Sequence, residues 1–211
     1  MTLKIPKIHS YSVAIALTIA LAVPAAAERS LIREEDGITV EEEGADGRAL
    51  PILTGTTTMA VSPDEIAAWI EATHTFVDWQ HNCEEARQIR REGSITIGYN
   101  RIGSPWPVSD RDVVLRSTRT NLAGGGIRMD FRNTTDSEVP VNRGVVRMPR
   151  LIGSYDLTPV EGGTLVIYTV DSDPGGSLPN WLVKQASKNL PYNTLKKLRE
   201  RAEAGPPPSV K

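Results

Sequence analysis

The densest run of groups able to do chemistry is Asp110-Arg111-Asp112-Val113-Val114-Leu115-Arg116. Read as a strand, the alternation along Asp112 to Thr120 puts Asp112, Val114, Arg116 and Thr118 on one face and Val113, Leu115, Ser117 and Arg119 on the other. One face therefore presents a guanidinium. If that face is dry, Arg116 needs an answering group, because a desolvated cation without a partner is costly. Asp112, two positions before it on the same face, would supply one, or a bound molecule would bring an anion or a hydroxyl. If the face is wet, Arg116 points to solvent like Arg119. Arg111, between two aspartates, reads as part of a surface charge lattice of little energetic weight.

Other chemistry is thinner. Cys83 is the single cysteine, and His74 and His81 stand near it. Separations of seven and two residues fit neither one helical face nor a zinc-ligand pair on a turn, so core packing is expected and a metal is not. There is no Ser-His-Asp order, no nucleophile elbow and no histidine after His81. Acid–base work would fall to Asp112, Tyr99, Asp156 or Tyr155. Trp106 between Pro105 and Pro107 reads as the plug of a strand corner rather than a binding clamp. Lys plus Arg number 24 against 26 for Asp plus Glu, a net charge of -2 that gathers no phosphate backbone, so nucleic acid is not an expected partner.

These groups must be positioned by elements of one ordinary domain: 211 residues, 39% hydrophobic, with no repeat. Lys4 and Lys7 precede an apolar run from Val13 to Val23, then Pro24 and Ala25-Ala26-Ala27. This predicts a signal peptide over 1–27 cleaved after Ala27, since the run is short of the roughly 20 residues that cross a bilayer. A periplasmic or secreted protein follows, and with one thiol it has no internal disulfide. Residues 28–49 read as an acidic lead-in, a solvated edge, with a short strand at Ile38 and Val40 pairing with a second over Leu50 to Val61 across Asp46-Gly47. Ser62-Pro63-Asp64-Glu65 is a capping box opening a helix with Ile66, Trp69, Ile70 and Thr73 on its apolar stripe.

Strands follow at Glu84 to Glu92, Ser94 to Ile102, Arg111 to Asn121, Ile127 to Thr134, Val145 to Val160 and Thr164 to Asp173, divided by glycine- and proline-rich turns. Their short connections make neighbours antiparallel. Ser177 is expected to cap a last helix to about Ala204, with Pro179 in its first turn and a kink at Pro191. Leu178, Trp181, Leu182, Gln185, Ala186 and Asn189 share one face of it. Residues 205–211 read as a loose proline-rich tail. The order is α+β, and only the last helix is long enough to cover a curved antiparallel sheet. A sheet wrapped on a helix encloses a space, which is a ligand cavity if side chains leave it unfilled.

The run Ser104-Pro-Trp-Pro-Val-Ser-Asp-Arg-Asp-Val-Val-Leu-Arg116, with Gly153-Ser154-Tyr155, Asp173-Pro-Gly-Gly-Ser-Leu-Pro-Asn-Trp-Leu-Val183, and Trp79 and Cys83 in a W-x-x-x-C stretch, resembles the StAR-related lipid-transfer (START) domains over about residues 50–204. The resemblance implies a helix-grip fold, one lipid or sterol-like ligand in an apolar cavity, no cofactor and no catalysis. It implies that Arg116 lies within the cavity, while the carboxylate of sterol-binding relatives is absent from Ser94 to Ile102. The expected ligand-binding set is Arg116, Asp112, Val114, Tyr99, Met129, Val139, Val141, Leu178, Trp181, Leu182 and Gln185. The loop from Asp136 to Gly144 is expected over the cavity mouth, with Val139 and Val141 touching a membrane transiently. A monomer is expected. The alternative is an enzyme on the same grip architecture, a cyclase or hydrolase acting on a hydrophobic substrate.

Overall fold

The acidic lead-in is a hairpin, β1 (Arg29–Glu35) with β2 (Ile38–Glu43), rather than a solvated edge carrying one short strand. Its two-residue turn has positive φ at both positions, 52° at Asp36 and 67° at Gly37, the geometry that matches strand twist. β2 pairs with β3 (Ile52–Met59), as the sequence predicts. The computed structural model describes residues 29–44, 50–136 and 139–209. The expected signal peptide, the Asp46-Gly47 turn and the end of the tail lie outside the described residues.

Helix α1 (Pro63–Glu71) starts at the capping box: the Ser62 side chain accepts from the Glu65 amide at 3.4 Å, and the Ser62 amide donates to Glu65 Oε2 at 2.8 Å. A 3-10 turn (Thr73–Thr75) leads into α2 (Phe76–Trp79). Then come β4 (Cys83–Glu92), β5 (Ile95–Ile102), β6 (Arg111–Asn121) and β7 (Ile127–Asn133), each antiparallel to the last. The run expected as one strand from Val145 to Val160 is two. β8 (Val146–Arg147) pairs in parallel with β6, and β9 (Arg150–Val160) pairs with β7. They part at Pro149, which has no amide to give a ladder.

β10 (Gly163–Asp173) closes the chain of pairings, giving the order β1-β2-β3-β10-β9-β7-β6-β5-β4 with β8 beside β6. The curved antiparallel sheet wraps α3 (Asn180–Ala204), the helix-grip arrangement. α3 is preceded by Pro179 rather than capped by Ser177, and runs through Pro191 as one element. Pro191 divides it by burial. After it, Tyr192, Thr194, Leu195, Leu198 and Ala202 are buried, while among the described side chains before it only Ser187 is. The second half is therefore the anchor, seated on β2 and β3. Gly55 permits that seat, since a Cβ there would lie 2.7 Å from Leu195 Cδ1 and 3.0 Å from Pro191 Cβ. The β1–β2 turn adds to that seat, with Asp36 accepting from the Tyr192 hydroxyl at 2.7 Å and from Lys196.

The tail expected to be loose is tied down over its described residues. Trp69 Nε1 donates to the Gly205 carbonyl at 2.8 Å, and His74 Nε2 is 3.0 Å from the Pro208 carbonyl. Exposed carbonyls of a proline run find partners on α1 and the turn after it.

Candidate ligand-binding cavity

The first half of α3 does not fill the concave side of the sheet. Beneath it lies a cavity of about 610 Å³, inside the size range of small-molecule sites. Its floor comes from β6, β7, β9 and β10, whose inward side chains include Leu115, Phe131, Tyr155 and Tyr168. The Tyr155 and Tyr168 rings stack with centroids 4.4 Å apart, and burial raises both phenol pKa values above the ordinary range. Its roof is Leu178, just ahead of α3, and the α3 stripe Trp181, Leu182, Gln185, Ala186, Leu190 and Thr194, spaced as one helical face requires. Side chains that line the cavity and also meet solvent mark its mouth. These are Asn82 and Glu84 at the start of β4, Pro105 between β5 and β6, and Trp181 and Gln185 on α3.

Of the residues expected from the sequence, the structure brings Leu178, Trp181, Leu182 and Gln185 to the cavity wall. It does not bring the others. The division of β6 into two faces holds, but the cavity face carries Arg111, Leu115 and Ser117, so Arg116, Asp112 and Val114 lie on the convex face. Arg116 donates to Thr118 Oγ1 at 3.1 Å there, two positions along its own face. Asp112 is fully buried, and its partner is Arg147 of β8, with Nε to Oδ1 at 2.7 Å and Nη2 to Oδ2 at 3.2 Å, not Arg116. Tyr99 donates to the same carboxylate at 3.2 Å and stays outside the cavity, with the Arg87 guanidinium 5.0 Å from its ring centre. Burial first, then the Asp112 charge, raises the Tyr99 phenol pKa. Met129 sits in the main core rather than on the cavity wall.

The loop after β7 is also displaced from its expected place. Val139 is buried against Ile97, Tyr99 and Val114 on the convex face, so it cannot meet a membrane, and Val141 is exposed without lining the cavity. An apolar cluster on the outer side of β5 and β6 needs a cover, and this loop supplies it. The segment beside the mouth is instead the β5–β6 connection. Trp106 in it is 92% exposed and plugs nothing.

Arg111 was the residue most hidden from sequence reading. It is buried and in the cavity wall, its Nε donating to the Pro174 carbonyl at 3.3 Å, its Nη2 to the Gly175 carbonyl at 3.2 Å and its Nη1 to the Ser109 carbonyl. Burial lowers its pKa. Asn100, also buried in the wall, donates to Gln80 Oε1 at 3.3 Å. His81 lines the cavity with Nδ1 3.2 Å from Asn193 Nδ2. Desolvation, helped by the Lys197 charge, holds its pKa down to about 4, so the ring is neutral at neutral pH. The Cys83 thiol is pushed up to about 11 by burial and donates to the Glu85 carbonyl at 3.5 Å. No group of three or more His, Cys, Asp or Glu side chains among the described residues is placed to hold a metal.

The comparisons with known proteins agree with this geometry. A START domain family model matches residues 56–205. An uncharacterised protein of Pseudomonas aeruginosa is 34% identical over 174 residues, 82% of this chain and 86% of that one. The human phosphatidylcholine transfer protein is 28% identical over 123 residues, 56% of each chain. The crystal structure of a STAR-related lipid transfer protein fragment from Xanthomonas axonopodis superposes with a TM-score of 0.76 at 29% identity, covering 82% of this chain and 98% of that one. With its curved sheet, gripping helix and unfilled interior, the chain belongs to the START domain family.

Proposed function

We propose that this protein is a non-catalytic carrier that takes one lipid or other hydrophobic small molecule into the cavity under α3 and transfers it across water in the cell envelope. The observation that carries the reading is the cavity itself, a mostly apolar space of about 610 Å³ left open in a domain that otherwise packs its core closely. Each buried methylene favours such a place over water by roughly 0.8 kcal/mol, so shielding an acyl chain is a sufficient task. Similarity to lipid transfer proteins supports it. The apolar leader with its expected cleavage after Ala27 supports export to a periplasm or the exterior.

The titratable groups of the cavity argue for binding rather than turnover. Burial pushes His81, Cys83, Tyr155 and Tyr168 toward their neutral forms, and the Cys83 thiol is hydrogen-bonded to a main-chain carbonyl rather than to the imidazole. A thiol that burial holds in its neutral form is a weak nucleophile.

The mouth supplies a membrane-contact surface. Exposed Trp106 and half-exposed Trp181 flank it, with Lys184 and Lys188 exposed on the same helix as Trp181. Indole rings suit the headgroup region, and lysines suit anionic lipid. The test is uptake and transfer: delipidated protein binds a fluorescent fatty acid with one-to-one stoichiometry and speeds the movement of a fluorescent lipid from donor to acceptor vesicles. Absence of both uptake and transfer contradicts the reading.

A further inference from the structure

We propose that the cavity is built for a single-chain amphiphile whose head carries an anion and, a few bonds away, a hydroxyl, the anion meeting Arg111 and the hydroxyl meeting Asn100. This rests on the carrier reading above and names the ligand class within it.

Size sets the first limit. A 610 Å³ cavity lies within the roughly 300–1,000 Å³ range of sites that enclose one drug-sized molecule. That suits one acyl chain with a small head, and a two-chain phospholipid is about twice that size. The apolar part of the wall includes Leu115, Phe131, Val170 and Leu190.

Charge sets the second. Arg111 is 5% exposed, and its three hydrogen bonds all go to main-chain carbonyls, of Ser109, Pro174 and Gly175. The neighbouring Asp110 is engaged elsewhere, by the Ser104 amide at 3.0 Å and by Arg101 at 3.5 Å. Among the described residues no carboxylate forms an ion pair with Arg111, in contrast with Asp112 next to it, which has Arg147. A guanidinium has five N–H donors, so two remain, on a desolvated cation toward which the Asp110 charge acts only from beyond ion-pair distance. A carboxylate or phosphate answers both.

The hydroxyl comes from Asn100. It is 3% exposed in the same wall, and its Oδ1 has no partner. It stands opposite Val113 in the β5–β6 ladder and so diagonal to Arg111, with Cα atoms roughly 7–8 Å apart. Exchanging the amide oxygen and nitrogen of both Asn100 and Gln80 leaves an unpartnered N–H instead of an unpartnered oxygen. A hydroxyl satisfies either arrangement because it both donates and accepts. A methylene satisfies neither.

The test uses the whole protein stripped of lipid, with displacement of dansyl-undecanoic acid as the readout. Oleoyl lysophosphatidate and β-hydroxypalmitate are expected to displace the probe at one equivalent, and the tighter of the two tells whether the anion is a phosphate or a carboxylate. Palmitate, which lacks the hydroxyl, and monooleoylglycerol, which lacks the anion, are expected to be weaker by roughly tenfold or more, and dioleoyl phosphatidylcholine not to compete. In Asn100→Leu the preference for β-hydroxypalmitate over palmitate disappears, and in Arg111→Gln the preference for lysophosphatidate over monooleoylglycerol disappears. Each is a ratio within one folded variant, so lost stability cancels, and the wild-type ratios stand alone if a variant fails to fold. Competition by dioleoyl phosphatidylcholine, or monooleoylglycerol matching lysophosphatidate, overturns this inference and leaves the carrier intact. Failure to take up the probe itself overturns the carrier as well.

Discussion

Asp112 and Arg116 share one face of β6, yet only the carboxylate is wholly withdrawn from water, where Arg147 holds it with two donors. Removing one member of a buried pair strands the other, at about 3–5 kcal/mol. Arg147→Leu is therefore expected to lower the unfolding free energy obtained from urea titration by about that amount, while Arg116→Leu stays within about 0.5 kcal/mol of wild type, as surface changes do. His81 gives a pH signature. Its folded pKa lies near 4 against an ordinary 6.5, so the unfolded chain binds the proton first and stability is lost as pH falls from about 6.5 toward 4. The loss is on the order of 2–3 kcal/mol, each pKa unit being worth about 1.4 kcal/mol. Denaturation curves of His81→Gln should be flatter than wild type over that window, and an unchanged slope would mean that the imidazole is hydrated in the folded protein.

At the scale of elements, Gly55 is the point where sheet and helix come nearest. Gly55→Val would drive two methyls into Leu195 and Pro191, and overpacking of this kind costs about 1–3 kcal/mol. Weaker retention of a bound fatty acid should accompany the lower denaturation midpoint, since the anchored half of α3 holds the half that roofs the cavity. What the sequence showed follows the same lines. The capping box at Ser62 and the stripe from Trp181 to Gln185 were legible because a local pattern and its structural meaning coincide, whereas Leu178 reaches the cavity from the loop before the helix. The parity of β6 was legible too, but not which parity faces inward, because that depends on what covers each side. Arg116 drew attention as a lone cation on an alternating strand, yet Val113 and Leu115 on the opposite face were the better sign of the interior. Arg111 looked like surface charge because its partners are backbone carbonyls more than sixty positions away or in its own turn, and carbonyls leave no trace in side-chain type. The β1–β2 hairpin had a signal in Asp36-Gly37 that the surrounding acidic residues obscured.

Over the whole molecule, the roles separate along α3. The half after Pro191 is core, and the half before it borders a space that opens beside Trp181 and the β5–β6 connection. Trp106, outside the core, should matter to membrane contact and not to folding. Trp106→Ala is expected to leave stability within about 0.5 kcal/mol while slowing lipid transfer between vesicles that contain anionic lipid, and unchanged transfer would place the contact elsewhere. The hollow beneath the first half of α3 is expected to hold one small hydrophobic molecule when the protein is at work. Native mass spectrometry of protein purified gently from its host tests this most directly. A population heavier than the polypeptide by one lipid-sized mass, lost on extraction with organic solvent, is the result expected. A spectrum of bare polypeptide alone, from protein that also takes up no lipid when offered one, would contradict the claim.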